Sequence, residues 1–195
     1  MTTHNKTLDH YRDEFKQKKL MATPLAGTLV WLVLGIAALF FPPEQMIIPF
    51  YIGLGSIYYI AIGIGKLTGE DLLLPKEKRN PFDTLFLSTM IMSLLVFAIA
   101  IPFMQENFLA QPMALGILSG LMWFPLSWII QHPVGIYHAV SRTLTLVVIW
   151  YVAPEHSFTL VPFAIVIIYA FSLVSLYKRW QKENSTLVGK PAEIR

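Results

Sequence analysis

The chain has 195 residues, 55% of them hydrophobic and only 14% charged. A water-soluble domain runs near about 45–50% apolar and about 25% charged, so this composition belongs to a protein whose solvent is largely lipid. It has no cysteine, which excludes a disulfide framework, a thiolate zinc site and an iron–sulfur cluster; its net charge of +3 is not organised into basic runs interleaved with aromatics, so no nucleic-acid partner is expected.

Residues 1–20 are polar and mixed in charge. Leu8, Tyr11 and Phe15 lie at helical spacing, which predicts a short amphipathic helix at a membrane interface. A frayed, solvated tail is the alternative. The segment is too polar for a signal peptide, and no small-residue cleavage site follows it.

Six apolar runs follow, at about 21–41, 46–65, 84–104, 112–130, 134–153 and 158–177. Each is long enough to cross a hydrocarbon core of roughly 30 Å. Their continuity, in place of alternation, points to helices and not to a barrel. The first run has Pro24 in its opening turn and stops at Pro42-Pro43. The second carries Gly53, Gly55 and Gly63, and the fourth carries Gly116 and Gly120. Glycines let helices approach closely in lipid, so the Gly53/Gly63 and Gly116/Gly120 faces are candidates for homo-oligomer contacts. The expected fold is all-α: a six-helix transmembrane bundle over 21–178, with a disordered cytoplasmic tail over 179–195.

Charge fixes the expected orientation. Lys6, Arg12, Lys16, Lys18 and Lys19 precede the first run. Lys66, Lys76, Lys78 and Arg79 lie in the loop after the second, and Lys178, Arg179, Lys182, Lys190 and Arg195 follow the sixth. With Arg142 in the inner half of the fifth run, all 15 basic residues fall on one side. The opposite loops hold only Glu44, Glu106 and Glu155. The positive-inside rule then places both termini in the cytoplasm, in an inner membrane.

Arg142 is the one basic residue inside a run. An ionisable residue in a span marks a site by default. His138 is four residues earlier and shares its face, and Ser141 and Thr145 extend a polar stripe. Tyr137 and, on the fourth run, Trp123 complete a candidate lining for a ligand-binding cavity open to the cytoplasm. Asp83, Glu70 and Asp71 are the candidate charge partners of Arg142. The competing reading has Arg142 snorkelling to lipid phosphates, with His138 an ordinary hydrogen-bonding residue. Trp128 reads as an interfacial anchor.

The chain has no H-E-x-x-H motif, no P-loop and no complete G-x-S-x-G. His132 and His138 lack the nearby carboxylates of a metal site, so neither a metal nor a cofactor is expected.

A basic start leads into Pro24-Leu25 and Trp31, and the fourth run reads Gly120-Leu121-Met122-Trp123-Phe124-Pro125-Leu126-Ser127-Trp128. Trp150 precedes a short acidic turn, and Pro162 lies in the last run. On these motifs, over roughly residues 18–180, the chain resembles the domain-of-unknown-function family numbered 7010. The resemblance implies a small bacterial inner-membrane protein and brings no activity or site residues with it. Three functions stay open: a permease, channel or lipid-binding protein built around Arg142; an accessory protein that binds other membrane proteins; and a lipid-modifying enzyme.

Overall fold

The computed structural model describes residues 6–73 and 79–188, and every regular element among them is helical. Lys76, Lys78, Lys190 and Arg195 of the basic set lie outside the described residues, as does the end of the expected tail. Four helical stretches are long and apolar enough to cross a membrane: Pro43–Thr68, Pro81–Glu106, Phe108–Ile130 and Pro154–Ser185. The other two expected runs form shorter or more polar helices.

Helix α1 spans Leu8–Lys16 and is capped by the Thr7 hydroxyl, which accepts from the His10 N–H at 3.3 Å. The amphipathic pattern is real, but its apolar face is not left to lipid. Phe15 is only 2% exposed, and α1 packs against α4 (Pro81–Leu95) and α7 (Trp123–Ile130). Arg12 lies over the rings of Trp128 and Phe82, at 4.5 and 5.3 Å. Asn80 donates to the Tyr11 carbonyl, and Arg179 donates to the carbonyls of Lys16 and Lys18, each at 2.8 Å. Helix α1 is therefore fastened at its middle and at its C-terminal end by side chains of other elements.

Helix α2 (Ala22–Ala37) packs on α3 (Pro43–Thr68) and on α9 (Ser157–Val188). Trp31, Phe50 and Phe158 meet edge to face where these three converge, with centroids 5.9 and 5.1 Å apart. Such pairs add about 0.5–1.5 kcal/mol each beyond burial. The third run is split into α4 and α5 (Phe97–Glu106). Asn80 and Asp83 form a reciprocal capping box at its start.

The fourth run divides into α6 (Gln111–Gly120) and α7. Pro125 explains the break: it has no N–H for the Leu121 carbonyl, which accepts from Phe124 at 3.1 Å instead. Helix α8 (Val134–Val152) packs into α6, α7 and α9. Gly135 is essential to that approach, since a Cβ there would lie 1.9 Å from the Trp123 carbonyl oxygen. Helix α9 continues to Val188, well past the expected end at residue 177, because the segment after Tyr177 has no helix breaker before Gly189.

The Gly116/Gly120 face is covered within the chain. A Cβ at Gly116 would fall 2.4 Å from Leu146, and one at Gly120 would fall 2.9 Å from Arg142, so both glycines serve packing within the chain. On α3, Gly53 is covered by Leu34 and Gly63 is open. Burial is uneven. Half of the apolar window of Phe108–Ile130 is buried, against 11% for Pro43–Thr68 and 6% for Pro81–Glu106.

Candidate functional site

Arg142 and His138 point into the bundle from one face of α8, as four-residue spacing requires. Arg142 is 0% exposed. One terminal nitrogen donates to His138 Nε2 at 3.3 Å and to the Tyr169 hydroxyl at 3.4 Å; the other donates to Ser119 Oγ at 2.8 Å. Its guanidinium carbon lies 5.5 Å from the ring centres of both Trp31 and Tyr169. Among the described residues it forms no ion pair, and its Nε has no acceptor. The charge is held by neutral acceptors and aromatic faces alone, an arrangement that suits arginine's weakly hydrated, delocalised ion.

Hydrogen bonding fixes the imidazole. Ser172 Oγ donates to the Ile168 carbonyl at 2.9 Å, so it accepts from His138 Nδ1 at 2.8 Å. The proton of His138 then sits on Nδ1, and Nε2 accepts from Arg142. Trp123 stacks on the imidazole, centroids 3.9 Å apart and planes 12° from parallel. The result is a directed chain from guanidinium to imidazole to serine to backbone carbonyl.

None of the expected charge partners reaches Arg142. Glu70 accepts from the Met21 and Ala22 N–H groups at 2.9–3.1 Å, satisfying free donors at the start of α2, where the helix dipole favours a carboxylate. Asp83 pairs with Lys18 and accepts from the Asn80 N–H at 3.0 Å. Asp71 accepts from the Leu73 N–H at 3.0 Å. All three carboxylates are taken up by backbone donors or a lysine at the basic end of the bundle.

The expected polar stripe is divided between two faces. His138 and Arg142 are buried with Trp123, whereas Tyr137 and Ser141 lie outside and Thr145 is half-buried. Ser141 returns its hydroxyl to the Tyr137 carbonyl at 2.5 Å. Thr145 has no hydrogen bond to the arginine among the described residues. Arg142 is fully enclosed, and it lines neither the groove between α8 and α9 nor the cleft between α3 and α5. The space lies one imidazole away. A groove of about 410 Å³ runs between α8 and α9, lined by Tyr137, His138, Ser141, Phe171, Ser172 and Ser175 among others. Its walls are apolar, and its floor is the His138–Ser172 pair.

Ser119, Tyr169 and Ser172 are not among the site residues expected from the sequence, and Trp31 enters there only through the family resemblance. The available signal was the hydroxyls inside apolar runs, each of which needs a partner when buried. A second cleft, of about 390 Å³, lies between α3 and α5 beside Tyr51, Met104 and Gln111. There the Gln111 amide is already spent on the Ile47 carbonyl at 2.8 Å. Among the described residues no group of three or more metal-ligating side chains converges.

A protein-family model described as a family of unknown function, DUF7010, matches residues 8–179. No curated protein and no solved structure matches the chain.

Proposed function

Since the chain belongs to that family of unknown function, its activity has to be argued from its own geometry, and we propose that it is a six-span membrane protein that binds a membrane lipid in the groove between α8 and α9. In this reading α2 and α8 join the four long apolar stretches as spans, and both termini lie in the cytoplasm. The one-sided placement of lysine and arginine supports that orientation. The membrane is the inner membrane of a bacterium.

The observation that carries the lipid reading is the groove itself. It opens between Tyr137, 70% exposed, and Phe171, 76% exposed, so it faces the acyl chains and not the bundle interior. Its lining offers the Tyr137 and Ser175 hydroxyls at the depth of headgroups and glycerol. A solute pathway through Arg142 has no such support, because that residue is enclosed. Native mass spectrometry of the full chain after detergent exchange tests the reading. One lipid per chain is expected to stay bound, and Ser175→Trp, which fills the groove, removes it. A lipid-free wild type overturns the reading.

A second reading has one observation in its favour. The α3 and α4–α5 faces are nearly bare, as the 11% and 6% burial of their apolar windows indicates. They suit a non-catalytic accessory protein that docks another membrane protein, with Tyr59 on the outer face of α3 74% exposed. Tyr59→Lys is expected to break such a complex and to leave lipid retention intact.

A further inference from the structure

The groove between α8 and α9 lies against a buried charge that has no counter-ion. Among the described residues Arg142 has no carboxylate partner, and the His138 ring that accepts from it at 3.3 Å is itself part of the groove floor. A cation behind a thin, weakly polarisable wall sets up a positive potential on the other side of it. The hydrogen bonds run in one direction, from Arg142 through His138 to Ser172 and on to the Ile168 carbonyl.

A second cation stands at the mouth. The two helices are antiparallel, with His138 opposite Ser172, so Val134 and Ser175 mark the cytoplasmic end of the groove and Ser141 and Ile167 its deep end. Lys178 is one turn beyond Ser175 on the same side of α9. It is exposed, with no hydrogen bond or ion pair among the described residues. No carboxylate lines the groove; Glu183, two turns beyond Ser175, faces Lys16 at 3.8 Å. Among the described residues no acceptor is found for the hydroxyls of Tyr137 and Ser175. Deeper in, Ile167 and Phe171 offer only apolar surface.

We infer that the groove selects a phospholipid with a net negative headgroup over a zwitterionic one, the phosphate seated by Ser175 and Lys178 and an acyl chain lying along Phe171 and Ile167. This rests on the lipid-binding reading above and adds the chemical class of the ligand. The charge comes from Arg142 and Lys178, and the apolar half of the groove favours a lipid anion over a free one.

The test uses the delipidated full chain in a neutral detergent, with palmitoyl-oleoyl phosphatidylglycerol and palmitoyl-oleoyl phosphatidylcholine at equal concentration, read by native mass spectrometry. A preference of about tenfold for phosphatidylglycerol is expected from one unit charge at this range. Lys178→Gln lowers that preference severalfold, and Lys66→Gln, which removes an exposed charge from the end of α3, leaves it unchanged. Ser175→Trp abolishes retention of both lipids; should that variant not fold, Tyr137→Ala, at an exposed position, replaces it and weakens both. Equal retention of the two lipids, lost together in the groove variant, overturns the charge selection and leaves the lipid reading standing. Retention that the groove variants do not alter overturns both. Displacement of phosphatidylglycerol by inorganic phosphate makes this a free-anion site and overturns the lipid assignment.

Discussion

Arg142 donates to the Nε2 of His138 one helical turn before it, at 3.3 Å, and the imidazole can accept that bond only because Ser172 holds its proton on the far nitrogen. The cation is thus satisfied by a neutral partner whose tautomer is set on another helix. Stability measurements can read this dependence directly.

Removing the acceptor strands a buried charge, whereas removing the charge relieves it. His138→Leu is expected to cost about 3 kcal/mol. Arg142→Met, of similar length and apolar, is expected to change stability by about 1 kcal/mol or less. The double variant is then expected to be more stable than His138→Leu alone. Reversible unfolding of the purified protein in detergent checks all three, and a double variant less stable than either single one contradicts the account.

The glycines divide by what surrounds them. Gly135→Ala drives a methyl group to 1.9 Å from the Trp123 carbonyl oxygen, and Gly120→Ala brings one to 2.9 Å from the Arg142 side chain. The first is expected to block folding. The second is expected to cost about 1–3 kcal/mol, because a side chain yields more easily than backbone. Gly55→Ala meets nothing within 4 Å. It is expected to be neutral or slightly stabilising, since alanine favours the helix by about 1 kcal/mol. Expression level and melting temperature rank the three.

Much of this was legible in the sequence, for physical reasons that differ by element. The six runs stand out because an apolar stretch of that length has few other uses, and Arg142 stands out because a charge among them has a cost. The breaks between α4 and α5 and between α6 and α7 were not read from the sequence, although Pro125 was the visible cause of the second. The partners of Arg142 were misassigned because charge complementarity favours Asp83 and Glu70, while each of these is claimed by donors nearer to it: a lysine, a helix start and a capping box. Ser119 and Tyr169 come from other helices, and a single sequence carries no record of which helices meet.

The absence of cysteine gives a clean test of orientation. Single cysteines at Glu106 and Glu155 are expected to react with a membrane-impermeant maleimide in intact cells, and one at Lys182 to react only after lysis. Labelling of the Lys182→Cys variant in intact cells contradicts the cytoplasmic assignment.

Acid is expected to weaken the basic end. His132 lies between α7 and α8, and its Nδ1 accepts from the Val134 N–H at 3.3 Å. Burial, and then the charge of Arg179, hold its pKa below the usual 6.5. A group whose pKa is lower folded than unfolded contributes stability above the unfolded value and loses it as pH falls below that value. The melting temperature is therefore expected to fall as pH drops below about 6.5. His132→Asn, which keeps an acceptor and cannot titrate, flattens that part of the profile.

The bonds from Arg179 to the carbonyls of Lys16 and Lys18 span 163 and 161 positions of the sequence. During synthesis, α1 has to wait for that length of chain before these anchors exist. Until then α1 rests on α4 and α7, where Phe15 meets Phe82, and the Arg179 bonds report that the end of α9 has arrived. A chain cut short before Arg179 would leave the Lys16 and Lys18 carbonyls at the end of α1 without those donors, and the truncation would be felt at the opposite end of the sequence.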